Sequence, residues 1–198
     1  MKVILGLGNP GKEYEATRHN VGWWVLDHLA DVWHFDGWRK DGDALVSNGL
    51  VGPHKVRLVK PQTYYNLSGT VLRSYVRRPF WSAKTDLFVV CDDVALPIGR
   101  YRIRPQGSAG GSNGLKSIEG TLRSQEYPRL RIGTGPPPDQ QREVGRLSDY
   151  VLSPMGKLDR QIVQDLMPRF ADACETWARE GVIAAMNKHN RNDQNSEK

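Results

Sequence analysis

One histidine of the sequence, His19, occupies a position where a side chain could act as a general base. Residues 3–5 are apolar and rich in β-branched types, which predicts a short buried strand, and His19 follows in a polar loop that ends at a helix beginning near Asn20. Ligands of open α/β sheets bind outside the carboxyl ends of the strands. Because imidazole titrates near neutral pH, it can take a proton from water and return it. The position therefore indicates proton transfer at the end of the first strand.

A carboxylate that could orient this histidine follows a second apolar strand, predicted at residues 86–91. Asp92 and Asp93 come directly after that strand, at a carboxyl end of the same sheet. A general base needs a partner that fixes its tautomer and stabilises the imidazolium. Neighbouring residues of an extended chain point to opposite sides, so only one aspartate can face His19. A metal pair is the alternative, but it lacks a third clustered ligand.

Three asparagines, Asn9, Asn66 and Asn113, stand at the ends of three separate loops. Each amide can donate through its NH₂ group and accept through its carbonyl oxygen, which suits holding a water, a carbonyl oxygen or a peptide backbone. Asparagine is also common in loops simply because it tolerates turns. The pattern alone therefore leaves a structural role open.

The glycines after the first strand spell G-x-G-x-x-G, the dinucleotide-binding pattern, at Gly6, Gly8 and Gly11. That pattern requires a helix that starts within the glycines, so that free N–H groups meet the pyrophosphate. Pro10 removes one such N–H, and the apolar period of a helix begins only about ten residues later. A nucleotide-dependent oxidoreductase is therefore an alternative that the context of the motif does not favour.

The distribution of charge predicts a polyanionic partner. The 198-residue chain carries a net charge of +6. The segment from residue 100 to 131 contains seven basic residues, Arg100, Arg102, Arg104, Lys116, Arg123, Arg129 and Arg131, against Glu119 and Glu126. A clustered basic patch favours a nucleic acid, whereas a solvated face is the alternative for any run of charge.

Several function classes are disfavoured by composition. The two cysteines, Cys91 and Cys174, show neither metal-ligand spacing nor a disulfide framework. Cys91 ends an apolar strand beside two aspartates, which favours core packing over a nucleophilic thiolate. No apolar run approaches the roughly 20 residues that cross a bilayer. The chain begins directly with a strand, without a secretory signal. We therefore expect a cytoplasmic protein with no membrane partner.

The elements that must position these residues predict an α/β fold. Strands alternate with helices, which indicates a single-domain three-layer sandwich, with a mixed twisted sheet and helices on both faces. The domain is expected to span residues 1–189, and residues 190–198 are too polar to pack, which predicts a disordered tail. In a strand at residues 100–104, alternation puts the three arginines on one face and Tyr101 and Ile103 on the other.

The remaining segments are predicted as follows: a surface turn at 36–43, paired strands at 44–50 and 55–59, a loop at 61–69, a helix at 70–78, a helix at 113–122, a strand at 130–132, an exposed loop at 135–141, and a helical region at 156–188 broken near Gly181. In the helix at 70–78, the apolar period places Val71, Leu72, Tyr75 and Val76 inward.

Several spaced motifs together resemble the bacterial-type peptidyl-tRNA hydrolases, from residue 2 to about residue 152. They are Gly8-Asn9-Pro10-Gly11, then Tyr14, Thr17, Arg18, His19, Asn20 and Gly22; Lys60-Pro61-Gln62-Thr63; Asn66-Leu67-Ser68-Gly69; Asp92, Leu96-Pro97 and Gly99; Gly107-Ser108-Ala109-Gly110-Gly111; Asn113-Gly114-Leu115-Lys116; and Arg129-Leu130-Arg131-Ile132-Gly133. Motifs in the right order are far more specific than any one of them alone.

The resemblance implies hydrolysis of the ester that joins a peptide to the 3′ end of tRNA, without a cofactor or metal, by a monomer. It assigns catalysis to His19, Asp92 and Asn9, substrate binding to Tyr14, Asn66 and Asn113, and contact with tRNA phosphates to Arg102, Arg104 and Arg131. In this scheme His19 activates water, Asp92 orients His19, and Asn9 helps to stabilise the oxyanion.

The chain departs from the family pattern at two positions. Ala95 stands where an acidic residue is often found, and Ser112 stands where a histidine is often found. Neither departure touches the residues assigned to catalysis. A non-catalytic RNA-binding protein on the same fold is the alternative, and the presence of His19, Asp92 and the three asparagines argues against it.

Overall fold

A computed structural model describes residues 1–136 and 147–190 of the chain. The strands are β1 (Lys2–Gly6), β2 (Arg39–Asp41), β3 (Ala44–Val51), β4 (His54–Pro61), β5 (Leu87–Pro97), β6 (Tyr101–Arg104) and β7 (Arg129–Gly135). The helices are α1 (Val21–Val32), α2 (Arg73–Val76), α3 (Ala83–Asp86), α4 (Asn113–Leu122), α5 (Leu147–Val151), α6 (Lys157–Asp165), α7 (Met167–Glu180) and α8 (Val182–His189), and 3₁₀ turns cover Lys12–Tyr14, Arg18–Asn20 and Tyr65–Leu72.

These strands form one mixed sheet in the order β2-β3-β4-β1-β5-β7-β6. The four central strands β4, β1, β5 and β7 run parallel, while β2, β3 and β6 are antiparallel to their neighbours. The carboxyl ends of the parallel strands therefore meet at one edge of the sheet, where polar loops follow them. The predicted α/β three-layer sandwich is confirmed.

A separate hydrophobic core lies on each face of the sheet. Alternation along β5 sends Phe88 and Val90 to the first core, under α1 and α7, and Val89 and Cys91 to the second, under α4. Cys174 of α7 belongs to the first core. Both cysteines are free thiols, and burial raises the pKa of each. Core packing of Cys91, as expected, is confirmed.

Glycines let helix α1 approach the sheet at backbone distance. A Cβ atom added to Gly6 would lie 2.7 Å from the carbonyl oxygen of Gly22, and one added to Gly22 would lie 2.6 Å from that of Val90. Real Cβ atoms essentially never come so close, so a side chain at either position would push the helix away. Gly6, the first glycine of the G-x-G-x-x-G pattern, thus has a packing role.

The structure corrects the sequence predictions at three segments. The predicted turn at 36–43 contains the short edge strand β2, which forms because its backbone pairs with β3. The predicted loop at 61–69 enters a 3₁₀ helix at Tyr65. In the helix predicted at 70–78, Leu72 and Tyr75 are buried and Val71 is partly buried. Val76 was predicted to point inward but is 41 % exposed, at the last residue of α2.

The C-terminal helical region is broken twice, at Leu166 and at the predicted Gly181. Asn190, placed in the predicted disordered tail, is instead fixed to the edge strand β6. Its side chain accepts from the N–H of Ile103 at 3.0 Å and donates to the carbonyl oxygen of Ile103 at 2.9 Å. The rest of that tail, 191–198, and most of the predicted loop at 135–141 lie outside the described residues. Within the described ranges, no helix combines the length and apolarity of a membrane span.

Candidate active site

An open cavity of about 1040 Å³ lies where the loops after the parallel strands converge. Eight of the nine predicted site residues line it: Asn9, Tyr14, His19, Asn66, Asp92, Arg104, Asn113 and Arg131. Arg102 is not part of the lining and lies beside it on β6. The fold therefore gathers side chains that are more than a hundred positions apart in the sequence.

The centre of the cavity holds the pair of His19 and Asp92. His19 lies in the 3₁₀ turn that leads into α1, and Asp92 lies on β5, next to β1 in the sheet. The Nδ1 atom of His19 is 2.7 Å from Oδ2 of Asp92. The carboxylate is nearly buried, with 4 % of its side chain exposed, against 19 % for the imidazole. With Nδ1–H donated to Asp92, Nε2 is left as the basic nitrogen.

The neighbouring aspartate, Asp93, points away from the histidine, as alternation along a strand requires. Its carboxylate forms an ion pair with Arg131 of β7, and its Oδ1 accepts from the N–H of Ala95 at 2.9 Å. The two adjacent carboxylates thus have different partners: Asp92 contacts the imidazole of His19, and Asp93 contacts the guanidinium of Arg131. Because Asp93 is paired with Arg131, part of the positive charge of Arg131 is already neutralised within the protein.

The amide of Asn9 is held in one orientation. Its Oδ1 accepts from the backbone N–H of Tyr65 at 2.7 Å. Its backbone N–H donates to Oδ1 of Asn20 at 2.9 Å, and its carbonyl accepts from Nδ2 of Asn20 at 3.0 Å. Because the amide oxygen is occupied, the NH₂ group of Asn9 is the part that can donate to an oxygen in the cavity.

Tyr65 is a site residue that sequence reasoning missed. Its hydroxyl donates to Oδ1 of Asp92 at 2.6 Å, and its ring stacks on the imidazole of His19 with 3.9 Å between centroids and 14° between planes. Burial, and then the negative charge of Asp92, raise the pKa of the Tyr65 hydroxyl well above its ordinary value. The hydroxyl therefore stays protonated and remains a donor. Its place directly before Asn66 was the only signal in the sequence.

Tyr14, Asn66 and Asn113 lie at the rim of the cavity. Asn66 and Asn113 are exposed, and Tyr14 is partly buried. Asn113 begins α4, whose N-terminus is capped by Ser112, with its Oγ accepting from the N–H of Leu115 at 3.3 Å. The amides of Asn66, in the 3₁₀ helix, and of Asn113, at the start of α4, are therefore accessible to a bound molecule.

Three arginines of the neighbouring strands β6 and β7, Arg102, Arg104 and Arg131, lie close together. Arg102 of β6 lies opposite Arg131 of β7 in the register of the sheet, and Arg102 and Arg104 are exposed on one strand face, as predicted. Arg100, which was predicted to share that face, precedes the strand, because β6 begins at Tyr101. The pKa of Arg104 is lowered, first by partial burial and then by the positive charges of Arg102 and Arg131. Like charges held at this spacing favour an anion that would relieve their repulsion.

Two further arginines shape the walls instead of contributing to the exposed charge. Arg129, a member of the basic segment at 100–131, is only 2 % exposed and donates to the carbonyl oxygens of Gly107 and Ser108 at 2.6 and 3.1 Å. It is therefore a support for the glycine-rich loop. Arg18 stacks on the ring of Tyr150 and donates to Oγ of Ser153 at 2.6 Å. These contacts hold α5 and the residues after it against the 3₁₀ turn that carries His19.

The described parts of the chain hold no cluster of three His, Cys, Asp or Glu side chains with the geometry of a metal site. What the cavity does present is an imidazole oriented by a carboxylate, an amide donor, and arginine side chains in the same lining. This arrangement can activate water and stabilise a developing oxyanion next to a bound polyanion.

Comparison with known proteins gives a consistent result. The model of the peptidyl-tRNA hydrolase family matches residues 3–197. The peptidyl-tRNA hydrolase of Gemmatimonas aurantiaca is 57 % identical to this chain, and the alignment covers 96 % of this chain and 100 % of that protein. The peptidyl-tRNA hydrolase of Brevibacillus brevis is 45 % identical to this chain, and the alignment covers 96 % of this chain and 98 % of that protein. A crystal structure of peptidyl-tRNA hydrolase from Acinetobacter baumannii superposes with a TM-score of 0.81 at 30 % identity, covering 96 % of this chain and 94 % of that one. The chain belongs to the peptidyl-tRNA hydrolase family.

Proposed function

We propose that this protein hydrolyses the ester bond between peptide and tRNA in peptidyl-tRNA, so that both can be used again in translation. Its membership of the family supports the reaction. The observation that carries the mechanism is the hydrogen bond of 2.7 Å between Nδ1 of His19 and Oδ2 of Asp92 at the wall of the cavity.

His19 acts as the general base. Its Nε2 takes a proton from water as the water oxygen attacks the ester carbonyl carbon, and Asp92 stabilises the imidazolium that forms. The tetrahedral intermediate then collapses, the bond from carbon to the tRNA 3′ oxygen breaks, and that oxygen receives the proton from His19. The NH₂ group of Asn9 donates to the oxyanion while it exists.

The two ends of the substrate meet different parts of the cavity. Asn66 and Asn113 hold the peptidyl ester through their amides, with Tyr14 beside them. Arg102, Arg104 and Arg131 bind tRNA phosphates, which position the nucleic acid without reading its sequence. We further propose that the protein acts as a monomer in the cytoplasm, with water as its only co-substrate.

The test is to incubate the purified protein with peptidyl-tRNA and, separately, with aminoacyl-tRNA of the same tRNA. We expect release of free tRNA and peptide from the first substrate. Binding of peptidyl-tRNA without turnover would refute hydrolysis and favour the non-catalytic RNA-binding alternative. The aminoacyl-tRNA arm measures how far the enzyme requires the peptide.

A further inference from the structure

Tyr65 contacts all three side chains proposed for catalysis, each through a different part of the residue. Its backbone N–H donates to Oδ1 of Asn9 at 2.7 Å. Its ring lies parallel to the imidazole of His19 at 3.9 Å, and its hydroxyl donates to Oδ1 of Asp92 at 2.6 Å. A displacement of this one residue would therefore disturb the oxyanion donor, the base and the carboxylate together.

The surroundings of Tyr65 leave its side chain little freedom. Only 6 % of the residue is exposed. A Cβ atom added to Gly114 of α4 would lie 2.5 Å from Cε1 of Tyr65, so the absence of a side chain there makes room for the ring. The carbonyl oxygen of Tyr65 accepts from Oγ of Ser68 at 2.8 Å, which closes the 3₁₀ turn.

The hydroxyl of Tyr65 completes the hydrogen bonding of a nearly buried carboxylate. Oδ2 of Asp92 is paired with His19, and Oδ1 is paired with Tyr65. The terminal torsion of an aspartate is broad, so a carboxylate held at one oxygen alone could turn away from the imidazole. A hydrogen bond to the charged form also spreads its negative charge, which moderates the pull of Asp92 on the proton at Nδ1.

We propose that Tyr65 is a positioning residue of this active site: its hydroxyl fixes and moderates Asp92 while its ring fixes the plane of the His19 imidazole. This role rests on the proposed function of His19 as the general base. Tyr65 itself needs no contact with the substrate to fulfil it.

Other charged and titratable groups near Asp92 stay in place when the hydroxyl is removed. They are its chain neighbours Cys91 and Asp93 on β5, and Arg129 and Arg131 on β7, whose charges act on the adjacent Cys91 thiol. The Cys91 thiol is neutral, because burial raises its pKa, and Asp93 is paired with Arg131. The side chain of Ser112 also contacts the Tyr65 hydroxyl, but it carries no charge and caps α4 through the N–H of Leu115. A change in pH dependence on removal of the Tyr65 hydroxyl is therefore attributable to its bond with the ionised partner, Asp92.

The test compares Tyr65→Phe with the matched control Tyr127→Phe. Tyr127 is fully buried, and its hydroxyl has no hydrogen-bond partner among the described residues. Tyr65→Phe should lower kcat about tenfold, the effect of losing one hydrogen bond to a charged group, with little change in KM. It should also move the acid limb of the kcat/KM profile to higher pH by roughly half a unit to one unit, because Asp92 without its donor stabilises the imidazolium more strongly. Tyr127→Phe should change neither.

A readout that does not depend on turnover separates this proposal from the proposed function. NMR titration of the His19 imidazole should show its midpoint at higher pH in Tyr65→Phe than in wild type. An unchanged midpoint together with wild-type kcat would overturn the role of Tyr65. Wild-type turnover of His19→Ala would instead refute the proposed role of His19 as the general base. That conclusion would hold whatever midpoint His19 shows in Tyr65→Phe.

Thermal unfolding of each variant establishes that it is folded at the assay temperature. If Tyr65→Phe does not fold, the wild-type protein still provides a test. The Tyr65 hydroxyl proton should be protected from solvent exchange, and that protection should be lost in Asp92→Ala. Rapid exchange of this proton in the wild type would contradict the proposal.

Discussion

The side chains proposed for catalysis are buried or partly buried and tied to one another by hydrogen bonds, whereas Arg102 and Arg104 on the edge strand β6 are exposed to solvent. Each oxygen of Asp92 has its own partner, at 2.6 and 2.7 Å. Arg102 and Arg104, by contrast, share one exposed strand face, and the pKa of Arg104 is lowered first by partial burial and then by the charges of Arg102 and Arg131.

The contrast distinguishes two kinds of interaction in the proposed site. Hydrogen bonds of fixed geometry require both partners, so removing one group should slow the chemical step strongly. The salt dependence of the reaction should change little. A cluster of exposed cations acts through its summed charge, so removing one should weaken binding gradually and in a salt-dependent manner.

The largest effect is expected from His19→Ala. Loss of the general base should lower kcat by about two to four orders of magnitude. Folding should survive, since the imidazole lies at the cavity wall and outside both hydrophobic cores. Steady-state kinetics and thermal unfolding measure the two quantities, and near-normal turnover of a folded variant would rule out the mechanism.

Asp92→Asn should have the next largest effect. The amide cannot stabilise an imidazolium as a carboxylate does, so turnover should fall by roughly one to two orders of magnitude. The acid limb of the kcat/KM profile should move to lower pH, because the imidazolium loses a neighbouring negative charge. Asp93→Asn is the matched control for kcat and for the position of the acid limb, since Asp93 faces Arg131. Superimposable profiles of Asp92→Asn and wild type would show that the two residues are not coupled.

Arg102→Ala should have a smaller effect, confined to binding. The KM for full-length peptidyl-tRNA should rise, and the slope of its logarithm against the logarithm of salt concentration should flatten by about one unit, because one phosphate is no longer neutralised. Turnover at saturation should hardly change, because a phosphate contact is common to the ground and transition states. A short ester substrate without the tRNA body should be cleaved equally by both enzymes. Equal affinity across a salt series would mean that tRNA docks elsewhere.

The smallest effect is expected from Asp93→Asn, which should strengthen binding. The substitution removes the negative partner of Arg131 and keeps an oxygen that can accept from the N–H of Ala95. The arginine cluster then gains one net positive charge, so KM should fall and its salt dependence should become steeper. An increase in KM would indicate that Asp93 matters more for holding Arg131 in place than for neutralising it.

The sequence predicted those parts of the fold and site that follow from local pattern. Strand alternation correctly placed Tyr101 and Ile103 inward and Arg102 and Arg104 outward, and helix α4 begins and ends at the predicted residues. The pattern of strands predicted that one of Asp92 and Asp93 would face His19 at the carboxyl edge of the sheet, and the family resemblance selected Asp92. The prediction that both aspartates follow the strand was wrong, because pairing with β7 extends β5 to Pro97.

What the sequence could not predict depends on contacts between distant segments. Tyr65 was placed in a loop, and nothing in its neighbourhood indicates that its hydroxyl meets a carboxylate 27 positions away. Arg129 looked like one more exposed cation, because only the folded chain brings the carbonyl oxygens of the glycine-rich loop around it. Edge strand β2 likewise exists only through pairing with β3, since its own residues, Arg-Lys-Asp, have low strand propensity.

The positions of the two buried cysteines allow the partial unfolding of each helical layer to be measured. Cys91 lies in the core beneath α4 and Cys174 in the core beneath α1 and α7, on opposite faces of the sheet. A thiol reagent can react with either only when that layer opens, so the two labelling rates give the free energy of opening of each layer separately. Equal values would mean that both layers separate from the sheet as one cooperative unit. A lower value for Cys91 would mean that the layer carrying Tyr65 and Asn113 can open while the other remains closed.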